Sequence, residues 1–469
     1  MQCPLINIEN LSVFAANKIL VEPISLQVFS GKPVTILGET GAGKSLIAQV
    51  IMGCLPAGLS YSGKIEIAGK STSAQQRQAL WGQTLAMLPQ EPWSALSPAM
   101  KSQFQIQEVF TKVLSWKSDK SEHRTDEILD RLGIQQARDK IPTQLSGGMA
   151  QRVAFAAATA AGAELVLADE PTKGLDAIHK NSVVSMLQLQ TQNGGLLTIT
   201  HDIDVAEKIG GEVLVLRDGK LVEQADCEQL FTHPQHTFTK KLIAASPKNW
   251  PQQPKQNKWQ GQPLVQLKNI TKQRQGKILF ENLNLDIYPG QILGISGESG
   301  CGKSSLGDVI LGLLSPDAGT VAWNKDIVAK VAPAHLKQKL YQDPVASFAA
   351  STSLKQLCDD LTKRHQLDQD EFMALINQLG LNQSMLERNA EGISGGELQR
   401  LALARVLMLK PELIIADEPT SRLDLITARQ ITELLVHFAK SQNCALVLIS
   451  HDLDQLDKVC DSHLVLSAG

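Results

Sequence analysis

Two short segments of the chain combine glycines, a lysine and a serine in an order that suits phosphate binding. The pattern Gly-x-x-x-x-Gly-Lys-Ser spans residues 38–45 and occurs again at residues 297–304. Its glycines let successive backbone N–H groups curl around an anion, and the N-terminus of the following helix adds partial positive charge. The lysine reaches the β- and γ-phosphates of a nucleotide, and the serine hydroxyl can ligate Mg²⁺. The residues assigned to these two phosphate loops are Gly38, Gly41, Gly43, Lys44 and Ser45, then Gly297, Gly300, Gly302, Lys303 and Ser304.

Each half of the chain also carries an Asp-Glu pair after a short apolar run. Asp169 and Glu170 follow one run, and Asp417 and Glu418 follow the other. An aspartate at the C-terminal end of a strand can hold Mg²⁺ through water, and the adjacent glutamate can orient and deprotonate an attacking water. Asp-Glu-Pro by itself is more often a solvated turn, but beside a phosphate loop it predicts hydrolysis of a nucleoside triphosphate.

The remaining motifs recur in the same order, so the chain is an internal duplication. Leu-Ser-Gly-Gly at residues 145–148 returns as Ile-Ser-Gly-Gly at 393–396, and Thr-His-Asp at 200–202 returns as Ser-His-Asp at 450–452. Between the copies, residues 246–262 are rich in Pro, Gln, Lys and Asn and have no apolar periodicity, which is typical of a linker. We therefore predict two nucleotide-binding domains, at residues 1–245 and 263–469.

Apolar runs bounded by turns indicate the strands that must position these motifs. One run precedes each phosphate loop, and a helical pattern follows it. Strands that alternate with helices predict an α/β fold with a largely parallel sheet and helices on both faces. The predicted buried strands include residues 33–37, 165–167 and 196–199 in the first copy and 291–295, 413–415 and 445–449 in the second.

Together these motifs resemble the ATP-binding cassette (ABC) family. The resemblance depends on the Ser-Gly-Gly signatures, the Asp-Glu-Pro-Thr stretches, the turns at 173–176 and 421–424, and the switch histidines His201 and His451. It implies two P-loop NTPase domains of the ABC type. Each would have a RecA-like, mainly parallel sheet core, a helical subdomain and an antiparallel β subdomain. The implied cofactors are ATP and Mg²⁺.

The resemblance further implies a head-to-tail pair of cassettes, in which the signature of one covers the nucleotide of the other. The implied catalytic residues are Glu170, His201, Glu418 and His451. The implied metal-binding residues are Ser45, Gln90, Asp169, Ser304, Gln342 and Asp417. Site one would join Lys44, Ser45, Gln90, Asp169, Glu170 and His201 to Ser394 and Gly396. Site two would join Lys303, Ser304, Gln342, Asp417, Glu418 and His451 to Ser146 and Gly148.

Composition excludes several other classes of protein. Forty-five basic and forty-eight acidic residues leave a net charge of −3, which gives no electrostatic sign of nucleic-acid binding. The seven cysteines are scattered without C-x-x-C spacing, which favours a reducing cytoplasm over a disulfide framework. Neither a secretory signal nor an apolar stretch long enough to span a bilayer is visible. These features predict a cytoplasmic protein whose membrane role, if it has one, comes through a partner. The resemblance to transporter ATPases implies peripheral attachment to the cytoplasmic face of the inner or plasma membrane.

Two hypotheses remain for the process that ATP hydrolysis drives. The segments 92–98, 145–152, 222–224 and 233–239 resemble the oligopeptide, dipeptide and nickel importer ATPases. That reading implies two transmembrane permease subunits and an extracytoplasmic solute-binding protein as partners, with no nucleic acid. The alternative is a soluble ABC ATPase that does mechanical work on ribosomes or DNA. Such proteins tend to carry a long charged linker or zinc modules, which this chain lacks, so the importer is favoured. Peptide, nickel chelate or another small solute remains open as cargo.

One cysteine lies inside a predicted site. Cys301 stands in the second phosphate loop, where the first loop has Ala42. Its position predicts that a maleimide would react there, inhibit site two, and be kept out by MgATP.

Overall fold

A computed structural model describes residues 3–16, 18–90, 92–173, 175, 177–256, 259–298, 300–324, 334–349, 351–421 and 423–467. The chain forms two compact units, Met1–Ile243 and Ala244–Gly469. Among the described residues, none of the helices has both the length and the hydropathy that crossing a bilayer requires.

The first unit alternates strands and helices along the chain. Its described strands are β1 (Ile6–Ala15), β2 (Lys18–Val28), β3 (Val34–Gly38), β4 (Leu59–Ile67), β5 (Lys70–Ser71), β6 (Leu85–Leu88), β7 (Leu165–Asp169), β8 (Gly195–Thr200), β9 (Glu212–Arg217) and β10 (Lys220–Asp226). Its helices are α1 (Lys44–Met52), α2 (Ala74–Gln78), α3 (Pro92–Ala95), α4 (Ser102–Lys112), α5 (Ser118–Arg131), α6 (Gly147–Thr159), α7 (Ala177–Asn193), α8 (Ile203–Ile209), α9 (Cys227–Thr232) and α10 (Thr237–Ala245). Single 3₁₀ turns lie at Gln135–Ala137 and Pro142–Gln144.

The central sheet of this unit has the described order β10-β9-β3-β8-β7-β6. All neighbours are parallel except β10, which returns from β9 as an antiparallel hairpin. β3, β7 and β8 are buried along their whole length, as expected of parallel strands that helices cover on both faces. Because these strands are parallel, their C-terminal ends meet at one edge of the sheet. A separate antiparallel sheet has the order β2-β1-β4-β5.

The second unit repeats this plan. Its described strands are β11 (Val265–Arg274), β12 (Lys277–Ile287), β13 (Ile292–Gly297), β14 (Ala318–Trp323), β15 (Lys337–Leu340), β16 (Leu413–Asp417), β17 (Ala445–Ile449) and β18 (Ser462–Leu466). Its helices are α11 (Lys303–Leu311), α12 (Leu354–His365), α13 (Gln369–Gln378), α14 (Gly395–Met408), α15 (Leu425–Ser441) and α16 (Leu453–Val459). Single 3₁₀ turns lie at Pro247–Asn249, Ala334–Leu336, Pro344–Ser347, Gln383–Glu387 and Ala390–Gly392.

The parallel sheet of the second unit follows the same strand order as the first. Its described order is β15-β16-β17-β13-β18, with every pair parallel, and a smaller antiparallel sheet has the order β12-β11-β14. In both units a helical region is inserted in the chain between two strands that are neighbours in the parallel sheet. It contains α4–α6, between β6 and β7, in the first unit and α12–α14, between β15 and β16, in the second. The predicted α/β class, with a mainly parallel core, an antiparallel subdomain and a helical subdomain in each half, is confirmed.

The segment predicted as a linker makes extensive contacts with the second unit. The indole of Trp250 is buried in the apolar core of that unit, and its Nε1 donates to the Ala245 carbonyl at 2.8 Å. The Gln253 amide donates to the Lys458 carbonyl at 2.9 Å, and Lys255 forms an ion pair with Asp457 at 2.8 Å. Trp250, Gln253 and Lys255 therefore hold this part of the segment against the second unit, although residues 251–256 are exposed.

Candidate nucleotide site

The two phosphate loops adopt a conformation that requires their glycines. Gly43 and Gly302 cap the N-termini of α1 and α11 with φ values of 87° and 104°, in the left-handed region that residues with a side chain rarely adopt. A Cβ at Gly43 would also lie 2.7 Å from Val21 Cγ2. Each loop therefore delivers the chain directly from a buried strand into the start of a helix, which is the geometry that binds phosphate.

The loop lysines point back across their own loops. Lys44 Nζ donates to the carbonyls of Gly38 and Glu39 at 2.7 and 2.8 Å. Lys303 Nζ donates to the corresponding carbonyls of Gly297 and Glu298 at 2.8 and 2.9 Å. Burial lowers the pKa of Lys44, although the neighbouring Glu170 and Asp169 oppose that shift. Each ammonium is therefore held across its own phosphate loop by two backbone carbonyls.

The predicted catalytic glutamates follow immediately after strands β7 and β16. Glu170 and Glu418 have φ values of 48° and 47°, a left-handed conformation that is uncommon for a residue other than glycine. Hydrogen bonds hold each backbone in place, since the Glu170 amide donates to Ile199 at 2.8 Å and the Glu418 amide to Ile449 at 3.0 Å. Backbone strain of this kind costs about 1–3 kcal/mol and persists where the surrounding structure enforces it, often at active sites.

A histidine contacts each of these glutamates. His201 Nδ1 lies 2.8 Å from Glu170 Oε2, and Lys44 Nζ lies 3.8 Å from Glu170 Oε1. Desolvation acts to raise the pKa of Glu170, but the charge of His201, its hydrogen bond and the charge of Lys44 together hold that pKa below its ordinary value. The carboxylate is therefore ionised at neutral pH, as a residue that accepts a proton from water must be.

In the second site a histidine again contacts the glutamate, but the other side chain that contacts this carboxylate is a glutamine. His451 Nδ1 lies 3.5 Å from Glu418 Oε1, and Gln342 Nε2 donates to Glu418 Oε2 at 2.8 Å. Desolvation again opposes the shift, yet the hydrogen bond and charge of His451 hold the pKa of Glu418 below its usual range. The hydrogen bond with Glu418 in turn raises the pKa of His451. Gln342, which the family resemblance implies as a metal-binding residue, is thus hydrogen-bonded to the predicted catalytic base.

The aspartates at the strand ends fit a divalent cation. Asp169 Oδ1 is buried without a hydrogen-bond partner, while the Ser45 hydroxyl bonds to the same carboxylate. The Ser304 hydroxyl likewise bonds to the carboxylate of Asp417. Burial raises the pKa of both aspartates, and a cation would offset the cost of keeping them charged. A carboxylate oxygen and a serine hydroxyl beside a phosphate loop are the hard oxygen donors that Mg²⁺ prefers.

The signature residues stand at the starts of two helices, α6 and α14. Ser146 caps α6, where its Oγ accepts from the Met149 amide at 3.4 Å. Ser394 caps α14, accepts from the Glu397 amide at 3.3 Å and donates to Glu397 Oε2 at 2.6 Å. Both serines are exposed. No described hydrogen bond or ion pair joins either serine to the phosphate loop of its own unit. The loop, Asp, Glu and His residues of each copy are brought together, whereas the signature is not.

Sequence reasoning missed a charged pair next to the second site. Lys339 Nζ on β15 lies 2.7 Å from Asp308 Oδ1 and 3.6 Å from Asp417 Oδ2. The signal was present as a lysine in the short strand just before Gln342, where the first copy has an apolar residue. Only the strand register shows that this lysine lies beside Asp417, the aspartate predicted to bind the metal.

The prediction that Cys301 is open to alkylation is wrong. Its side chain is 1% exposed and faces Gly297, where an added Cβ would lie 2.8 Å from the sulfur. We now expect maleimide to label Cys301 far more slowly than the exposed Cys3, with or without MgATP. Mass spectrometry of tryptic peptides after short exposure measures both rates, and equal labelling of the two cysteines would contradict the buried placement.

The sequence of the chain is similar to a known family and to several of its members. Residues 21–173 and 280–421 match the sequence profile of the ABC transporter family. The chain is 32% identical to the uncharacterized ABC transporter ATP-binding protein YejF of Escherichia coli K12, over 99% of this chain and 94% of that one. It is 31% identical to the peptidoglycan transport ATP-binding protein YejF of Agrobacterium fabrum, over 99% and 91%. It is 28% identical to the glutathione import ATP-binding protein GsiA of Escherichia coli K12, over 96% and 82%.

This chain belongs to the ABC transporter family, and it is a tandem ATP-binding protein that hydrolyses ATP. A solved structure of an RNase-L inhibitor has the same fold, with a TM-score of 0.68 over 97% of this chain and 87% of that one. At 19% identity the likeness concerns the fold alone.

Proposed function

We propose that this chain is the motor subunit of an ABC importer that carries peptide-type solutes. The observation that carries the proposal is the likeness, over nearly the full length of both chains, to proteins named for peptidoglycan transport and glutathione import. Both names refer to compounds that contain peptide bonds. They give no support to a nickel chelate, so we propose a peptide cargo.

We propose further that each nucleotide is enclosed by the phosphate loop of one cassette and the signature of the other. The signature serines support this idea because each lies exposed at a helix N-terminus, and no described hydrogen bond or ion pair joins it to the loop of its own unit. A helix N-terminus and a hydroxyl suit a γ-phosphate. Site one would then contain the Lys44 loop with Ser394 and Gly396, and site two the Lys303 loop with Ser146 and Gly148.

Within such a site, each group would have one task in hydrolysis. Lys44 would neutralise the β- and γ-phosphates, and Glu170 would orient the attacking water and take its proton. His201 would hold Glu170 in its ionised form and correct direction. Mg²⁺, held through Ser45 and Asp169, would supply positive charge to the phosphate oxygens. Because the attack is largely a matter of positioning and electrostatics, the rigid strand ends supply most of what the reaction needs.

The proposed permease contacts lie in the segments that follow Gln90 and Gln342. Trp93 and Val345 stand three residues after these glutamines and are 42% and 41% exposed. Exposed apolar side chains at equivalent positions of the two cassettes suit helices from two transmembrane partners. Phe348 does not belong to this surface, since it is 8% exposed and the Arg405 guanidinium lies over its ring at 5.0 Å.

Replacing Trp93 with alanine is expected to uncouple transport from hydrolysis. The indole is exposed, so its loss should leave folding and ATP binding of the purified chain unchanged while peptide uptake by cells falls severalfold or more. Trp81→Ala is the matched control, because that indole is 44% exposed, lies outside the segment after Gln90, and donates from Nε1 to the Met52 carbonyl of the same cassette. A parallel fall of uptake and hydrolysis in the Trp93 variant would contradict a coupling role.

The importer and the ribosome-associated alternative differ in their partners. We expect the chain, isolated from detergent-solubilised membranes, to copurify with two permease subunits and, after crosslinking during uptake, with a solute-binding protein. It would then be bound to the cytoplasmic face of the membrane. Sedimentation with ribosomes, in the absence of membrane proteins, would favour the alternative instead.

A further inference from the structure

The second cassette places a buried ammonium, that of Lys339 on β15, beside the carboxylate that is proposed to bind the metal. The Lys339 side chain is 7% exposed, and its Nζ lies 3.6 Å from Asp417 Oδ2. The same Nζ donates to Asp308 Oδ1 at 2.7 Å, so the lysine is held in place by a second carboxylate on α11. The Asp417 side chain is itself 6% exposed, which leaves little water to screen the interaction.

The first cassette has neutral residues at both equivalent positions. Lys339 pairs with Ile415, two residues before Asp417, and Met87 pairs with Leu167, two residues before Asp169. Met87 packs against the apolar core of the first unit. The sixth residue of α11 is Asp308, and the sixth residue of α1 is Gln49. The two aspartates are therefore alike in their strand, serine partner and burial. Asp417 has the buried Lys339 within ion-pair distance, whereas the charges that reach Asp169 are those of Lys44 in the phosphate loop and of the exposed Lys173.

We infer that Lys339 is a resident cation that competes with the divalent metal for Asp417, so that site two binds Mg²⁺ more weakly than site one. This inference rests on the proposed metal role of Asp417 and Asp169. An ammonium close to the carboxylate offsets part of the negative charge that attracts the metal, and it repels the metal directly. Asp308 limits the effect, because its carboxylate is closer to the Lys339 ammonium (2.7 Å) than that of Asp417 is (3.6 Å). Part of the positive charge is therefore compensated by Asp308.

The consequence is that the two sites bind Mg²⁺ in a fixed order. At limiting Mg²⁺, site one fills first, and site two fills only when the metal concentration rises by about a further tenfold, as expected for one partly compensated charge at this distance. Two sites that carry the same predicted catalytic residues thereby differ in their metal requirement. Lys339 acts through Asp417 and is a positioning residue, not a catalytic one.

The test counts bound Mn²⁺ by electron paramagnetic resonance, with the full chain and a nonhydrolysable ATP analogue, and with analogue alone as the blank. We expect two classes of Mn²⁺ site that differ about tenfold in affinity. Asp417→Asn should remove the weak class, and Asp169→Asn should remove the tight class. Survival of both classes in these two variants would refute the metal role of the aspartates, and the inference with it.

Two sets of variants then isolate the lysine. Lys339→Met combined with Asp308→Gln supplies approximately the surroundings of Asp169 and should tighten site two about tenfold, until the classes merge. Asp308→Asn alone releases Lys339 toward Asp417 and should weaken site two further. A purely structural role would not move these two variants in opposite directions.

The reciprocal exchange tests the same inference in the other cassette. Met87→Lys combined with Gln49→Asp should weaken Mn²⁺ binding at site one, while the weak class stays as it was. Circular dichroism checks that each variant is folded. Equal Mn²⁺ affinities in the unmodified chain, or no change in site two after the Lys339→Met and Asp308→Gln exchange, would overturn the inference even if both aspartates bind metal.

Discussion

Glutamine in place of both Glu170 and Glu418 is expected to lower ATP turnover by a factor of roughly 100 to 10,000 while ATP binding is kept, the range that a general base contributes. Both carboxylates are held ionised by contacts with a histidine, and both lie in a strained backbone position directly after a buried strand. Glutamine has nearly the same shape, so the fold should be retained, but it cannot accept a proton from water.

The measurement is steady-state phosphate release beside equilibrium binding of a fluorescent ATP analogue. Glu164→Gln with Glu412→Gln is the matched control, since these glutamates stand just before β7 and β16, at the opposite ends of the same strands. The control should hydrolyse ATP at nearly the normal rate. Near-normal turnover in the Glu170 and Glu418 double variant would remove both residues from catalysis.

Arginine in place of Ser394 is expected to prevent ATP from occupying the Lys44 loop and to leave the Lys303 loop able to bind. The reason is the proposed trans arrangement, in which the N-terminus of α14 covers the γ-phosphate held by the other cassette. A bulky cation at that exposed cap would fill the space of the phosphate. Ser146→Arg should produce the mirror-image result.

Photo-crosslinking of an ATP analogue, followed by peptide mapping, reports which loop carries label. Ser353→Arg is a suitable control, because Ser353 caps α12 with the same kind of hydrogen bond, at 3.3 Å to the Gln356 amide. It loses a similar cap, worth about 1 kcal/mol, without touching a signature. Loss of label from the Lys303 loop in the Ser394 variant would mean that each signature serves its own cassette. Total turnover is a poorer readout, since coupling between the sites spreads the effect.

Motifs built from consecutive residues could be predicted because their geometry is local. A Gly-x-x-x-x-Gly-Lys-Ser run between a strand and a helix restricts the lysine side chain to positions near its own loop. Lys44 and Lys303 both donate to carbonyls of their loops. The apolar runs likewise predicted β3, β7, β16 and β17 to within one or two residues. Parallel strands then bring Asp169, Glu170 and His201 to one edge by topology alone, as their order along the chain implied.

Contacts between residues far apart in sequence could not be predicted in the same way. Trp250 lies in a polar segment with no periodicity, yet it is buried in the second unit because an adjacent apolar surface accepts its ring. Phe348 and Trp93 look equally apolar in sequence, but only Trp93 is exposed. Cys301 sits in a functional motif and is nevertheless buried. Burial depends on which neighbours the fold supplies, and no local pattern specifies them.

The sequence by itself determined the class of chemistry and the two copies of its motifs, and it predicted the residues that would carry it, because phosphate binding needs few residues at close spacing. Only the tertiary structure decided how the two copies differ. Lys339 is one charged residue in a short strand until the register of β15 against β16 places it 3.6 Å from Asp417, with Asp308 on the other side. Electrostatic energy depends on distance and on the exclusion of water, and both are properties of the folded chain.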